Sequence, residues 1–159
     1  MSTDAIVLLK DDHKTVEQLF KKFEEAGDNA LVTKRGIVES IIKELTVHAY
    51  IEEEIFYPEA RKAVPETKDH VLESLEEHHM VVWMLSELQK LDPSDETFDA
   101  KVTVLTENVR HHVEEEEQEW FPKVRKAMGR KELQEIGQRM LDAKSDAPHD
   151  PLKLPSATA

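Results

Sequence analysis

Apolar residues return every three or four positions along this chain, the spacing that gathers them on one face of an α-helix. Leu9, Val16, Phe20 and Phe23 mark a first helix over 4–25, with Ser2, Thr3 or Asp4 as candidate caps and Gly27-Asp28-Asn29 as its end. Ile37, Ile41, Leu45 and Ile55 mark a second over 31–57, which Pro58 ends or kinks. Pro65-Glu66-Thr67 opens a third, which carries Val71, Leu75, Val82 and Leu85 and runs to Leu91. Val102, Leu105, Val109 and Trp120 mark a fourth, from Asp95 to Phe121 or slightly beyond Pro122. After Gly129 a short helix is expected over 131–143. Residues 144–159 hold Pro148, Pro151 and Pro155 without an apolar period and read as a disordered or loosely docked tail. Four long helices with short connections predict an all-α, up-down antiparallel four-helix bundle. Residues 1–143 then form one domain, the bundle with its short extra helix, and 144–159 its flexible tail.

The buried stripes also contain polar residues. His13 falls on the first, His48 and Glu52 on the second, His78 on the third, and His112 and Glu116 on the fourth. A buried ionised carboxylate needs a partner or loses its charge, so this arrangement is costly without a cation. One interior His is usually a hydrogen-bonded core imidazole. One per helix, with two HxxxE pairs whose members share a helix face, points to metal ligation. The pattern repeats: Asp11-Asp12-His13 matches Glu76-Glu77-His78, and the step from His48 to Pro58 equals that from His112 to Pro122. Two related hairpins would bring two ligand sets together, hence two metals. His79 and His111 lie about 100° off the stripes and His70 and His149 fall near a helix start and in the tail, so none of the four joins the ligand set, although His79 would take the place of His78 if the third helix were rotated. Glu53, Glu54, Glu114, Glu115 and Glu117 read as solvated faces or as acceptors for the free N–H of a ligand His. Tyr57 is a candidate extra ligand or second-layer group, although nine residues after His48 it points about half a turn away unless the helix is distorted near Pro58, and a buried aromatic with a hydrogen-bonded hydroxyl is the simpler reading.

Composition narrows the chemistry. With 34 acidic and 21 basic side chains the net charge is −13, which disfavours nucleic acid and anionic membrane as partners. Cysteine is absent, which excludes thiolate zinc sites, cysteine-ligated iron–sulfur clusters and a Cys nucleophile. Imidazole and carboxylate donors suit iron or manganese, and also zinc. No apolar run is long enough to span a bilayer and no signal peptide is evident, so the expected compartment is the cytoplasm.

The ordered set His13, His48-x-x-x-Glu52, His78, His112-x-x-x-Glu116, with Glu-rich runs leading into Phe-Tyr-Pro and Trp-Phe-Pro, resembles the hemerythrin-like or HHE cation-binding domains over residues 4–127. The resemblance implies two non-heme irons, oxo- or hydroxo- and carboxylate-bridged, inside the bundle. His13 and His48 would bind one, His78 and His112 the other, and Glu52 and Glu116 would bridge them. It also implies a small diatomic or peroxide partner: O₂, H₂O₂ or nitric oxide. One departure stands out. Oxygen-carrying hemerythrins place a second His four residues after the third-helix His, and here that position is Val82. Open positions on redox iron fit turnover of a small oxidant, most concretely a catalase-like oxidoreductase activity, better than reversible O₂ transport. Val16, Leu45, Val82 and Val109 are the expected lining of a water-poor pocket. The alternatives are an iron, oxygen or redox sensor without turnover and, further behind, iron storage, for which only Glu76-x-x-His79 matches the paired ferritin-type motif.

Overall fold

The computed structural model describes residues 3–158; Ser2, one of the three candidate caps, and the chain ends at Met1 and Ala159 lie outside them. Four helical rods form the bundle: α1 (Ala5–Glu25); α2 (Leu31–Ile51) continuing through a π-helical turn (Glu52–Phe56) into α3 (Tyr57–Ala63); α4 (Lys68–Lys90); and α5 (Phe98–Glu115) continuing through a second π-turn (Glu116–Trp120) into α6 (Phe121–Ala127). A fifth helix, α7 (Arg130–Lys144), closes one end against α1 and α2. Among the described residues no helix is long and apolar enough to cross a membrane.

The caps are local chemistry. Asp4 Oδ1 accepts from the amides of Ile6 and Val7 at the start of α1, and Arg125 from α6 holds the same carboxylate. Arg35 donates to the carbonyls of Leu88, Gln89 and Leu91, closing the C-terminal end of α4.

Pro58 and Pro122 do not end their helices. A proline cannot donate, and its ring crowds the carbonyl four residues earlier. The chain answers by widening one turn just before it: the amides of Tyr57 and Phe121 reach back five residues, to the carbonyls of Glu52 and Glu116, and α-helix resumes. The second and fourth rods therefore run past their expected ends to Ala63 and Ala127.

Two apolar clusters fill the interior. One lies towards α7 and holds Ile6, Leu9, Phe56, Trp120, Phe121, Leu133 and Met140. The other holds Phe20, Phe23, Ile41, Leu45, Leu85, Phe98 and Leu105. On α2 the core residue of the early turns is Val38, with Ile37 only partly buried. The His/Glu layer falls between the clusters, since His13 lies between Leu9 and Val16 and His48 between Leu45 and Ile51. The proline-rich end corrects the expected loose tail: Pro151, Leu154 and Ser156 are buried, and two 3₁₀ turns lie along α4. Leu154 finds an apolar seat against Ala49 and Val82, which no periodicity within 144–159 announces.

Candidate metal centre

All six stripe residues are buried, Glu52 and Glu116 at 0% exposure. Their donor atoms form two groups: His13, His48 and Glu116, and Glu52, His78 and His112. The imidazoles pair across helices, His13 with His48 (ring centroids 4.9 Å apart) and His78 with His112 (5.1 Å). Each carboxylate lies between the pairs. Glu52 Oε1 is 3.0 Å from His48 Nε2 and 3.4 Å from His78 Nε2. Glu116 Oε1 is 3.3 Å from His13 Nε2, and its Oε2 is 3.4 Å from His112 Nε2.

The Nδ1 atoms are all taken. His13 donates to Glu117 (2.6 Å), His48 to Asp12 (2.9 Å), His78 to Glu53 (2.7 Å) and His112 to Glu77 (3.2 Å). A carboxylate only accepts, so each Nδ1 carries the proton and each Nε2 is left to face inward. The arrangement is twofold. The residue before one ligand His orients the His of the next helix (Asp12 to His48, Glu77 to His112), and the residue after each interior Glu orients another (Glu53 to His78, Glu117 to His13).

Despite their proximity, His13 Nε2, His48 Nε2, both oxygens of Glu52 and Glu116 Oε1 make no aligned hydrogen bond. Buried polar groups are almost always paired. Five such atoms, from imidazoles and carboxylates aimed at shared points, are what a cation would complete, so the donor set fits a metal.

Without a cation, protons balance the charge. Burial acts to lower the His48 pKa, but Glu52 and Asp12 raise it to about 10. His13 and His78 are also raised against burial, by Glu116 and Glu117 and by Glu52 and Glu53 respectively. His112 is lifted well above the usual imidazole range, again against burial, by Glu116 and Glu77. Burial opposes the charge on Glu116, yet His112 and His13 hold it well below the ordinary carboxylate value.

Tyr57 sits in this cage. Its hydroxyl donates to Glu116 Oε2 (2.8 Å) and lies 3.2 Å from His78 Nε2 and 3.3 Å from His112 Nε2. The unfavourable helical phase is undone by the π-turn, whose extra residue turns Tyr57 back by about 100° onto the face of Glu52. Burial, with the charges of Glu116 and Glu52, raises its pKa well above 10.0, so the phenol keeps its proton in the metal-free protein. Its counterpart in the second repeat is Phe121, stacked on His13 at 6.0 Å and 5°. The two halves of the cage thus differ by one hydroxyl.

A cavity of about 60 Å³ adjoins the cage, lined by Val16, Leu45, Val82 and Val109 as expected and also by Leu154. His79 and His111 lie outside the cage, their side chains 40% and 66% exposed. His70 packs on Trp120, and His149 is exposed. Sequence reasoning missed Asp12 and Glu77 as orienting groups. The signal was the acidic residue preceding His13 and His78 in both repeats.

A family model described as the hemerythrin HHE cation binding domain matches residues 4–124. A protein named DNA nickase from a Nostoc species is 27% identical over 138 residues, covering 87% of this chain and 38% of the relative. An uncharacterized hemerythrin-like protein of Schizosaccharomyces pombe is 26% identical over 122 residues, covering 76% of this chain and 59% of the relative. The chain thus spans less than two thirds of the length of either curated relative. In fold it is similar to the crystal structure of a hemerythrin HHE cation binding domain-containing protein from Mycobacterium kansasii. That likeness has a TM-score of 0.75 and 24% identity, and covers 90% of this chain and 86% of the other.

Proposed function

The chain belongs to the hemerythrin HHE cation-binding family, and on that premise we propose that it holds two irons and uses them on hydrogen peroxide or O₂, most concretely in a catalase-like reaction. The observation that carries the proposal is the set of five buried, inward-facing donor atoms without hydrogen-bond partners. His13 and His48 would hold one iron and His78 and His112 the other, with Glu52 and Glu116 shared between them. Iron held in this cage would supply electron exchange with the oxidant.

The protein's own groups do the rest. Asp12, Glu53, Glu77 and Glu117 fix the four rings with Nε2 inward. The apolar lining leaves room for a ligand of few atoms: the cavity is about 60 Å³, and one water needs about 10–15 Å³. Tyr57 would serve either as a ligand to the second iron or as a proton donor beside it, its O–H already aimed at Glu116. A nucleic-acid substrate is left out of the proposal, because a net charge of −13 repels a phosphate backbone.

The test is elemental analysis of the purified protein and of Glu52→Ala/Glu116→Ala, followed by O₂ release from H₂O₂. Two irons per chain, lost in the double variant, with one O₂ evolved per two H₂O₂ consumed, is the expected result. No stoichiometric metal after anaerobic iron reconstitution overturns the centre. A stoichiometric zinc or manganese site overturns the choice of iron. A loaded protein inert to peroxide leaves a sensing or binding role, which predicts a melting temperature that depends on iron and O₂.

A further inference from the structure

The described C-terminal residues take part in the site without supplying a donor. Leu154, 1% exposed, lines the cavity above the cage. It forms an apolar cluster of its own with Ala49 and Val82, joined by partly buried Tyr50 and Ala157. The segment is stiffened from within. The Leu152 and Lys153 amides donate to Asp150, the Leu154 amide to the Pro151 carbonyl, and the Ala157 amide to the Leu154 carbonyl. A polar contact fastens it to the bundle: the Ser156 amide donates to Glu53 Oε1 at 3.2 Å. The other oxygen of that carboxylate accepts from His78 Nδ1.

We propose that residues 150–157 are a strap closing the cavity over the cage, with Leu154 as the wall that restricts entry to ligands of few atoms and the Ser156–Glu53 bond as its fastening. The inference deepens the reading of the site given above and rests on it for the nature of the entering ligand. Val82 makes the wall possible. Its short side chain stands one turn after His78 and leaves the seat that Leu154 fills. The larger end of a bulky hydroperoxide would have to occupy the volume of Leu154, whereas H₂O₂ needs only the space already open. The strap also covers the route by which a chelator would reach the metal from this side.

The experiment uses the full chain as wild type, Leu154→Ala and Ser156→Pro; the second keeps Leu154 but removes the amide donor. In the metal-free protein, hydrogen exchange at the Leu154, Ser156 and Ala157 amides is expected to be at least tenfold slower than in an unstructured peptide, with the protection of Leu154 and Ala157 lost in either variant and that of Ser156 lost in Leu154→Ala. With iron bound, both variants are expected to release it to EDTA at least tenfold faster than wild type. The rate with cumene hydroperoxide relative to H₂O₂ should rise at least tenfold in Leu154→Ala. Unprotected strap amides in the wild type overturn the strap. Protected amides with a cumene-to-H₂O₂ ratio unchanged by Leu154→Ala overturn the wall. If the wild type binds no iron, the reading of the centre fails, while the exchange data on the metal-free protein still decide whether the strap is closed and fastened at Glu53.

Discussion

Replacing Tyr57 with Phe removes one oxygen from the centre of the cage and nothing else. The ring is 1% exposed and packs edge-on against Trp120, contacts that Phe keeps. The fold already accepts Phe at the equivalent place, Phe121. What is lost is a hydrogen bond to the buried Glu116 carboxylate, a charged acceptor, for which about 1.5–3 kcal/mol is typical. A loss of about 2 kcal/mol in a domain of this size lowers Tm by about 4–8 °C. Urea and thermal unfolding of metal-free wild type and Tyr57→Phe measure it, with circular dichroism to confirm unchanged helix. A variant within 0.5 kcal/mol of wild type would refute the bonding described here. Iron-loaded protein separates the two roles proposed for the phenol. A phenolate ligand gives a visible charge-transfer band that Tyr57→Phe abolishes, whereas a proton donor leaves the spectrum unchanged and lowers only turnover.

Removing an orienting carboxylate, by Asp12→Ala or Glu77→Ala, should weaken metal affinity by about 10–100-fold with the helical bundle intact, as measured by competition with a chelator; unchanged affinity would show that the Nδ1 bonds do not matter. Metal-free protein should lose stability as pH rises. Because the His48 pKa is raised from 6.5 to about 10, its contribution is complete below about 6.5 and vanishes through about 10. His13, His78 and His112 act in the same direction, so urea titrations that are flat or rising over this interval would contradict the charge balance. Gly137→Ala should destabilise the protein even though Ala favours a helix by about 1 kcal/mol, because a Cβ there meets the Thr3 carbonyl where α7 crosses the start of α1; a higher Tm would mean that this contact is not close.

Much of the protein is legible in its sequence because the relevant physics is local. Three- and four-residue periodicity sets the helices, and it also shows that His13, His48, Glu52, His78, His112 and Glu116 share the buried faces. The charge cost of those residues points to a cation without any structure. Three features required the tertiary fold. Tyr57 reaches the cage only because the turn before Pro58 widens, a backbone adjustment that an ideal 100° step does not contain. The acceptors of the four Nδ1 protons lie on neighbouring helices, as with Asp12 of α1 serving His48 of α2. A single helix's pattern shows that such a carboxylate is present but not what stands across from it. The strap is the third: a proline-rich segment with no apolar period has too little hydrophobic surface to declare a partner, and Leu154 is buried only because the helices carrying Ala49 and Val82 leave a seat of its size. Helix formation depends on neighbours a few residues apart, whereas these three features depend on surfaces that exist only once the rods have packed.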